Sequence, residues 1–434
     1  MSNDSNKGAI HDARKLGYPK ILLLGAQHMF AMFGATVLVP VLTGLPVSTT
    51  LMFAGIGTLI FHYITKLQVP AFLGSSFAFI GGYLSVKAAG VEMGMSEQLA
   101  LDYACIGVFF AGLVYFLIAM LVKMYGVQKV MRFFPSVVTG PIVIAIGLVL
   151  SGNAVENCQT NWWVSMTALG TVILANIWGR GFFKIIPIIM GVVVSYILAI
   201  CLGEVDFSSL SEVPWLGLPF SYETTVLAVF DDPDFSFMAS AILAIMPIAV
   251  ATIVEHIGDM CAISSTVGID YLNNPGLHRT LTGDGIATSI ASFFGAPANT
   301  TYGENTGVLN LTRVFDPMVI RLAAILAMVI SFCPKFAELI HLMPFATIGG
   351  VSLILYGMIS AVGIRNLVES KADLTSSRNV IVVATVLVLA IGIKYGANDQ
   401  IVIGTIKLSG LAVAAIVGVI MNAILPQEKT VKAE

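Results

Sequence analysis

Residues 299–313 read Asn-Thr-Thr-Tyr-Gly-Glu-Asn-Thr-Gly-Val-Leu-Asn-Leu-Thr-Arg, a run of amides, hydroxyls and one carboxylate set between long apolar stretches. Glu304 is its centre. Hydrophobic residues make up 57% of the 434-residue chain and charged residues only 11%. A carboxylate in such surroundings is expensive unless it is paired or meets a polar ligand, so the rest of the chain has to say what surrounds it.

Working outward, apolar runs of ~20 residues recur along the chain, the length that crosses the hydrocarbon core of a bilayer. They are continuous and rich in Leu, Ile, Val, Gly and Ala, whereas barrel strands alternate over ~10 residues. The reading is an all-α polytopic membrane protein. Segments are expected near 21–45, 49–66, 69–88, 101–123, 134–152, 164–178 and 184–203. A second set is expected near 236–260, 278–296, 299–312, 317–334, 344–363, 378–395 and 404–425, giving about 14. Two of these, 69–88 and 299–312, are short, rich in Gly and small polar residues, and each is entered through a Pro-Ala pair, Pro70-Ala71 and Pro297-Ala298. The polar N-terminus does not have the form of a cleavable signal, so the first apolar run is expected to stay as an anchor. The cysteines show neither metal-ligand spacing nor a disulfide framework, and no cofactor, metal or nucleic-acid partner is expected.

The charges alternate with the segments. Lys7, Arg14, Lys15 and Lys20 precede the first, and Lys123, Lys129, Arg132, Arg180, Lys184, Arg365, Lys371 and Arg378 fall in later loops on the same side. The opposite loop 204–235 holds Glu204, Asp206, Glu212, Glu223, Asp231, Asp232 and Asp234 and no Lys or Arg. By the positive-inside rule both termini are cytoplasmic and the span number is even.

The chain also repeats weakly. Gln27-His28 is echoed by Glu255-His256, and Pro70-Ala71 by Pro297-Ala298 at nearly the same separation; Pro135 with Gly140 is echoed by Pro344 with Gly349. An odd number of spans per half gives two halves of opposite topology, the pattern of many secondary transporters, whose interrupted segments point to a midplane site. The expected organisation is a tail at 1–20, a first repeat at 21–203, the acidic loop 204–235, a second repeat at 236–425 and a tail at 426–434. Phe77 then aligns with Glu304. Unwound backbone frees N–H and C=O groups that lipid cannot satisfy but a polar ligand can. The competing reading is close packing of small residues at a helix crossing; it accounts for Gly74, Ser75 and Ser76 but not for Glu304.

The ionisable groups at membrane depth are His28, Glu255, His256, Asp259, Asp284 and Glu304, with Arg313 and Arg321 nearer an edge. Glu255 and Asp259 are four apart and share a helix face. Two carboxylates so placed cannot both ionise cheaply, a property wanted in a proton-coupling group. Asp259 is expected near the cytoplasmic end of its segment, where hydration is the alternative explanation. His28 is read as a coupling group or a packed histidine bonded to Asp259 or Asn305, and Asp284 as a helix cap or a bond back to a broken segment. Neither Glu255 nor Glu304 has an evident basic partner at depth. A neutral planar solute with ring N–H donors suits two carboxylate acceptors, with Phe77 or Tyr302 over its apolar face. A cation suits them as well.

Glu304 to Arg313 resembles the signature of the nucleobase/ascorbate transporters (nucleobase:cation symporters), and Gln27-His28 resembles their first-span motif. QHMFAMFGATVLVP, LGSSFAFI, EHIGD, PGLHR, TTYGEN and GGVSLILYG together resemble the bacterial uracil permease branch. The resemblance implies two inverted seven-span repeats, short strands in spans three and ten, a core domain (21–123 plus 236–340), a gate domain (134–203 plus 344–425) and a homodimer. It implies that Glu255 and Glu304 bind the N–H groups of a pyrimidine and that Phe77 and Gly303 present backbone donors to its oxygens. Ser76, Tyr302 and Tyr356 would line the pocket, and Glu255, His28, Asp259 and Asn305 would serve proton coupling. The implied activity is proton-coupled uracil uptake across the bacterial cytoplasmic membrane. Some uracil carriers have a histidine where this chain has Asp259, as purine carriers often do, which keeps a xanthine or other purine permease as the alternative. Outside transport, an enzyme would call for motifs such as HExxH or GxSxG, and the chain has neither. A passive channel would not need coupled carboxylates.

Overall fold

In the computed structural model the described residues are 9–184, 186–397, 401–403 and 406–426. The first half forms α1 (Tyr18–Thr43), α2 (Val47–Ile64), β1 (Leu73–Ser75), α3 (Ile80–Glu92), α4 (Glu97–Tyr125), α5 (Val127–Met131), α6 (Ser136–Gln159), α7 (Trp162–Trp178) and α8 (Pro187–Cys201). The acidic stretch contributes α9 (Ser208–Glu212). The second half forms α10 (Phe235–Ile245), α11 (Ala249–Val267), α12 (Leu277–Phe293), β2 (Asn299–Thr301), α13 (Gly303–Thr312), α14 (Pro317–Ser331) and α15 (Pro334–His341). It closes with α16 (Phe345–Glu369), α17 (Ser377–Gly396), β3 (Ile401–Ile403), β4 (Ile406–Leu408) and α18 (Gly410–Ile424).

Among the described residues seven helices are long and apolar enough to cross a membrane, or eight if α14 and α15, bent by 87° at their junction, make one span. α7, α8 and α18 are shorter apolar helices. The chain is an integral membrane protein, and outward faces such as Trp163, Leu174 and Val388 are exposed as lipid contact requires. Helix ends follow local chemistry. Ser96 and Asn161 cap α4 and α7 with side-chain oxygens, and α1 stops at Gly44, whose φ of 92° an L side chain rarely adopts. α10 and α11 are joined through a tight turn at Met246–Ile248, where Pro247 withholds a backbone donor.

α2 and α4 pack on α12, α1 and α2 pack on α14, and α3 and α10 pack on α4. Separately, α6 packs on α16, α17 and α18, and α7 packs on α8 and α16. Small residues allow the closest crossings. A Cβ added at Gly112 of α4 would stand 2.1 Å from Ser289 Oγ of α12, and one at Gly147 of α6 would stand 2.2 Å from the Tyr356 carbonyl of α16. Bilayer helices associate in this way because lipid offers no hydrophobic drive between them.

Two expectations are corrected and a third is filled in. The segment expected to end near 260 continues to Val267, so Asp259 lies well inside α11 rather than at its end. Asp284 caps nothing, because α12 already begins at Leu277. The stretch read as an N-terminal tail is docked: Ile10 N–H donates to the Arg313 carbonyl (2.9 Å), and Ala13 N–H donates to Asp316 Oδ2 (2.8 Å). The tail at 427–434 and residues 1–8 lie outside the described residues.

Candidate functional site

The two segments singled out for their Pro-Ala entries meet. β1 and β2 pair antiparallel, Leu73 with Thr301, Gly74 with Thr300 and Ser75 with Asn299, and every strand residue is buried. Extended backbone at this depth needs partners other than lipid. Neighbouring helices supply them: Leu73 N–H donates to Thr58 Oγ1 of α2 (2.9 Å), Asn299 Nδ2 donates to the Phe53 carbonyl (3.0 Å), and Thr288 Oγ1 of α12 donates to the Asn299 carbonyl (2.8 Å). Ser76 N–H donates to the Ala298 carbonyl (2.8 Å), and Tyr302 N–H to the Phe72 carbonyl (3.0 Å), extending the pairing at both ends.

Each strand runs directly into the start of a helix. After β1 a tight turn at Phe77–Phe79 opens α3; after β2, α13 begins at Gly303. Neither start carries a side-chain cap. The first N–H groups of a helix have no acceptor within it and carry partial positive charge. The pairing thus brings two uncapped, donor-rich helix starts to one place. A Cβ at Gly303 would meet only Asp259 Oδ1, at 3.8 Å, so the backbone there is open on that side.

Side chains fix this arrangement. Tyr302 is buried, and its hydroxyl donates to the Ser75 carbonyl (2.9 Å) and accepts from Thr36 Oγ1 of α1 (3.3 Å). Ser75 Oγ in turn donates to the Thr36 carbonyl (2.6 Å). Asn305 Nδ2 donates to the His28 carbonyl at 3.1 Å and lies 3.1 Å from that ring's Nδ1. His28 therefore meets Asn305, the second of the two partners considered for it. On α11, Glu255 and Asp259 are each half-buried, and Asp259 Oδ2 accepts from Thr301 Oγ1 (2.8 Å). His256 faces elsewhere, 2.9 Å from Asp284 Oδ2 of α12, both side chains fully buried.

Phe77 is 8% exposed and its ring stands edge-on to Tyr356 of α16, centroids 6.0 Å apart. Ser76 is fully buried, and its Oγ has no hydrogen-bond partner among the described residues. The gap beside Phe77, between α3 and the helices α6 and α18, is about 10 Å³, room for about one water. Glu304 belongs to the first turn of α13, but its side chain lies outside the described residues.

Sequence reasoning did not single out Thr36 or Thr301. Thr301 stands inside the quoted polar run, where its spacing to Asp259 gives no signal. Thr36 is one hydroxyl in an apolar helix, and such a residue more often bonds its own helix; its Oγ1 also lies 2.8 Å from the Met32 carbonyl, so its one proton is shared between that carbonyl and Tyr302.

Comparison with known proteins bears on the family and the fold. The pattern of a permease family matches residues 19–398. The chain is 41% identical to the uracil permease of Bacillus subtilis (strain 168) over 94% of its length and 93% of that protein's. It is 39% identical to the uracil permease of Escherichia coli (strain K12), covering 95% and 94%. Among solved structures it resembles the transmembrane domain of the cyanobacterial bicarbonate transporter BicA, with a TM-score of 0.62 and 16% identity over 95% of this chain and 98% of that one. It also resembles SLC26A9, with a TM-score of 0.65 and 11% identity over 95% and 65%. At these identities the two structures speak to the fold alone.

Proposed function

Because this chain belongs to the permease family, that of the nucleobase/ascorbate transporters, we propose that it carries uracil across the bacterial cytoplasmic membrane together with a proton. Membership makes it a transporter and not an enzyme. The carrying observation is the β1–β2 pairing, which sets two uncapped helix starts beside α11.

Uracil presents two ring N–H donors and two carbonyl oxygens in one plane. Backbone N–H groups at Phe77 and Gly303 suit the oxygens, and the carboxylates of Glu255 and Glu304 suit the N–H groups. The free Ser76 hydroxyl offers one more polar contact, and Phe77 with Tyr356 covers the ring face. Tyr302 serves the pocket from behind, through its bond to Ser75. Coupling falls to Glu255, with His28, Asn305 and Asp259 nearby. A pocket holding two ionised acids resists a neutral ligand, and taking up one proton lowers that resistance, so proton and substrate bind together.

Movement follows from the packing. The gap beside Phe77 has room for about one water, far less than a nucleobase needs. The Phe77–Tyr356 contact, between the helices bearing the site and α16, supports a shift of one set against the other as the way substrate enters. We assign the moving core to 21–123 plus 236–340 and the gate to 134–203 plus 344–425, an elevator-type movement. The matching strand-then-helix arrangement at β1 and β2 supports two inverted repeats, and counting the broken segments supports about 14 spans, both termini cytoplasmic. The resemblance also implies a homodimer. The purine alternative rests on Asp259, which this chain binds through Thr301.

The test is uptake of labelled uracil into proteoliposomes under an inward proton gradient. Accumulation above equilibrium that collapses with a protonophore is the expected result. Xanthine uptake without uracil uptake would move the chain to the purine branch, and uptake that never exceeds equilibrium would make it a passive channel.

A further inference from the structure

The motif Pro275-Gly276-Leu277-His278-Arg279 plays no part in the site above. It opens α12, which runs antiparallel to α2 and α4, so its start faces the ends of both. Arg279 Nη1 donates to the Ile64 carbonyl at the end of α2 (3.3 Å). His278 lies within electrostatic range of Arg279, of Lys66 just past α2 and of Lys123 at the end of α4. Lys66 and Lys123 are exposed, and among the described residues neither forms an ion pair. Three fixed cations and an imidazole from three helices thus converge, and among the described residues no ion pair neutralises Lys66, Lys123 or Arg279.

The backbone adds to this field. α12 starts at Gly276 without a side-chain cap; its Leu277 N–H donates back to the Leu272 carbonyl, and the positive end of the helix faces the same place. Gly276 sits at φ 103°, and a Cβ there would stand 2.8 Å from the His278 ring. Only glycine lets the imidazole fold back over the helix start. Around the cluster, Tyr63, Met124 and Tyr125 are 80%, 64% and 55% exposed. Aromatic side chains at helix ends mark the headgroup level of a bilayer.

We propose that this cluster holds the phosphate of an anionic phospholipid, with Lys66, Lys123 and Arg279 around the headgroup and Tyr63, Met124 and Tyr125 beside it at the same level. Clustered basic residues beside a span attract anionic lipid, and the exposed apolar flank favours a lipid over a soluble anion. The site ties the ends of α2, α4 and α12 together in the leaflet they face.

Native mass spectrometry of the detergent-solubilised full chain tests this, with phosphatidylglycerol, phosphatidylcholine or inorganic phosphate added separately. Wild type should retain phosphatidylglycerol several-fold more than phosphatidylcholine. The pair Lys66→Gln with Lys123→Gln should lose that preference, while Lys129→Gln with Arg365→Gln keeps it. Should the first pair fail to fold, the two single variants decide in the same way. Equal retention of both lipids by wild type overturns the proposal, as does equal loss in the control pair. Inorganic phosphate that abolishes phosphatidylglycerol retention at millimolar levels would make it a soluble-anion site and overturn the lipid assignment.

Discussion

The Tyr302 hydroxyl donates to the Ser75 carbonyl at 2.9 Å, joining the residue that precedes one helix start to the strand that leads into the other. The bond crosses between the two halves of the chain. Through Thr36 it also reaches α1, so one buried tyrosine and one threonine add to the strand pairing in holding the spacing of the two donor-rich helix starts.

Tyr302→Phe removes the donor and leaves a buried carbonyl and a threonine hydroxyl less well satisfied, a loss of about 1–3 kcal/mol. The expected outcome is a lower unfolding temperature in detergent together with weaker uracil binding. Thermal unfolding and equilibrium binding on the same preparation check it. Unchanged values in both would mean that β1 and β2 hold their spacing without this bond.

Gly74→Ala attacks the same place from the other side. The added Cβ would lie 2.5 Å from Tyr302 Cζ and 2.8 Å from Thr36 Oγ1, while the backbone is held in register with Thr300. Overpacking of this kind costs about 1–3 kcal/mol, and the ring must leave Ser75 to make room. Gly170→Ala on α7, with nothing within 4 Å of its Cβ, is the comparison. The first variant should lose thermal stability and uracil binding, the second neither. Equal behaviour of the two would show that the strand pair yields easily.

How much of this was legible in the residues differs from element to element. The interrupted segments announced themselves, because Pro-Ala followed by small and polar residues is a poor helix, and their recurrence in both halves matched them to each other. The pairing partner of each strand residue was not legible, since register depends on where α2 supplies Thr58 and the Phe53 carbonyl and α12 supplies Thr288. The β3–β4 pair was missed: β3 falls just before the segment expected from 404 and β4 inside it, where Ile and Val serve strand and helix alike. α15 was missed because its eight residues follow Pro334 and turn sharply from α14, and hydropathy does not report a bend. Asp284 was misread as a cap because Gly283 and Gly285 flank it; those glycines instead admit Phe61 and Tyr115 from neighbouring helices.

Asn305→Ala separates scaffold from coupling at His28. The amide donates to the His28 carbonyl and lies against its ring, so its loss removes a second hydrogen bond to a carbonyl that α1 already satisfies, about 0.5–1.5 kcal/mol, and frees the imidazole to turn. Reduced thermal stability with gradient-driven uptake lost, yet uracil binding largely kept, is the expected pattern. Full uptake with reduced stability would place Asn305 in the scaffold alone.

The two glutamates should fail in different ways. A glutamine at 304 keeps the shape but exchanges a charged acceptor for a neutral amide, and a hydrogen bond to a charged group is worth about 1.5–3 kcal/mol, roughly a 10- to 150-fold change in affinity. Glu304→Gln should therefore weaken uracil binding by at least about 10-fold while leaving the unfolding temperature in place. Glu255→Gln removes the proton acceptor from α11, so substrate exchange across the membrane should persist while accumulation driven by the gradient disappears. Exchange and accumulation measured side by side in proteoliposomes distinguish the two. Full proton-driven accumulation by Glu255→Gln would take the coupling role away from that residue and leave Asp259, held by Thr301 in the same half-buried stretch of α11, as the carboxylate to test next.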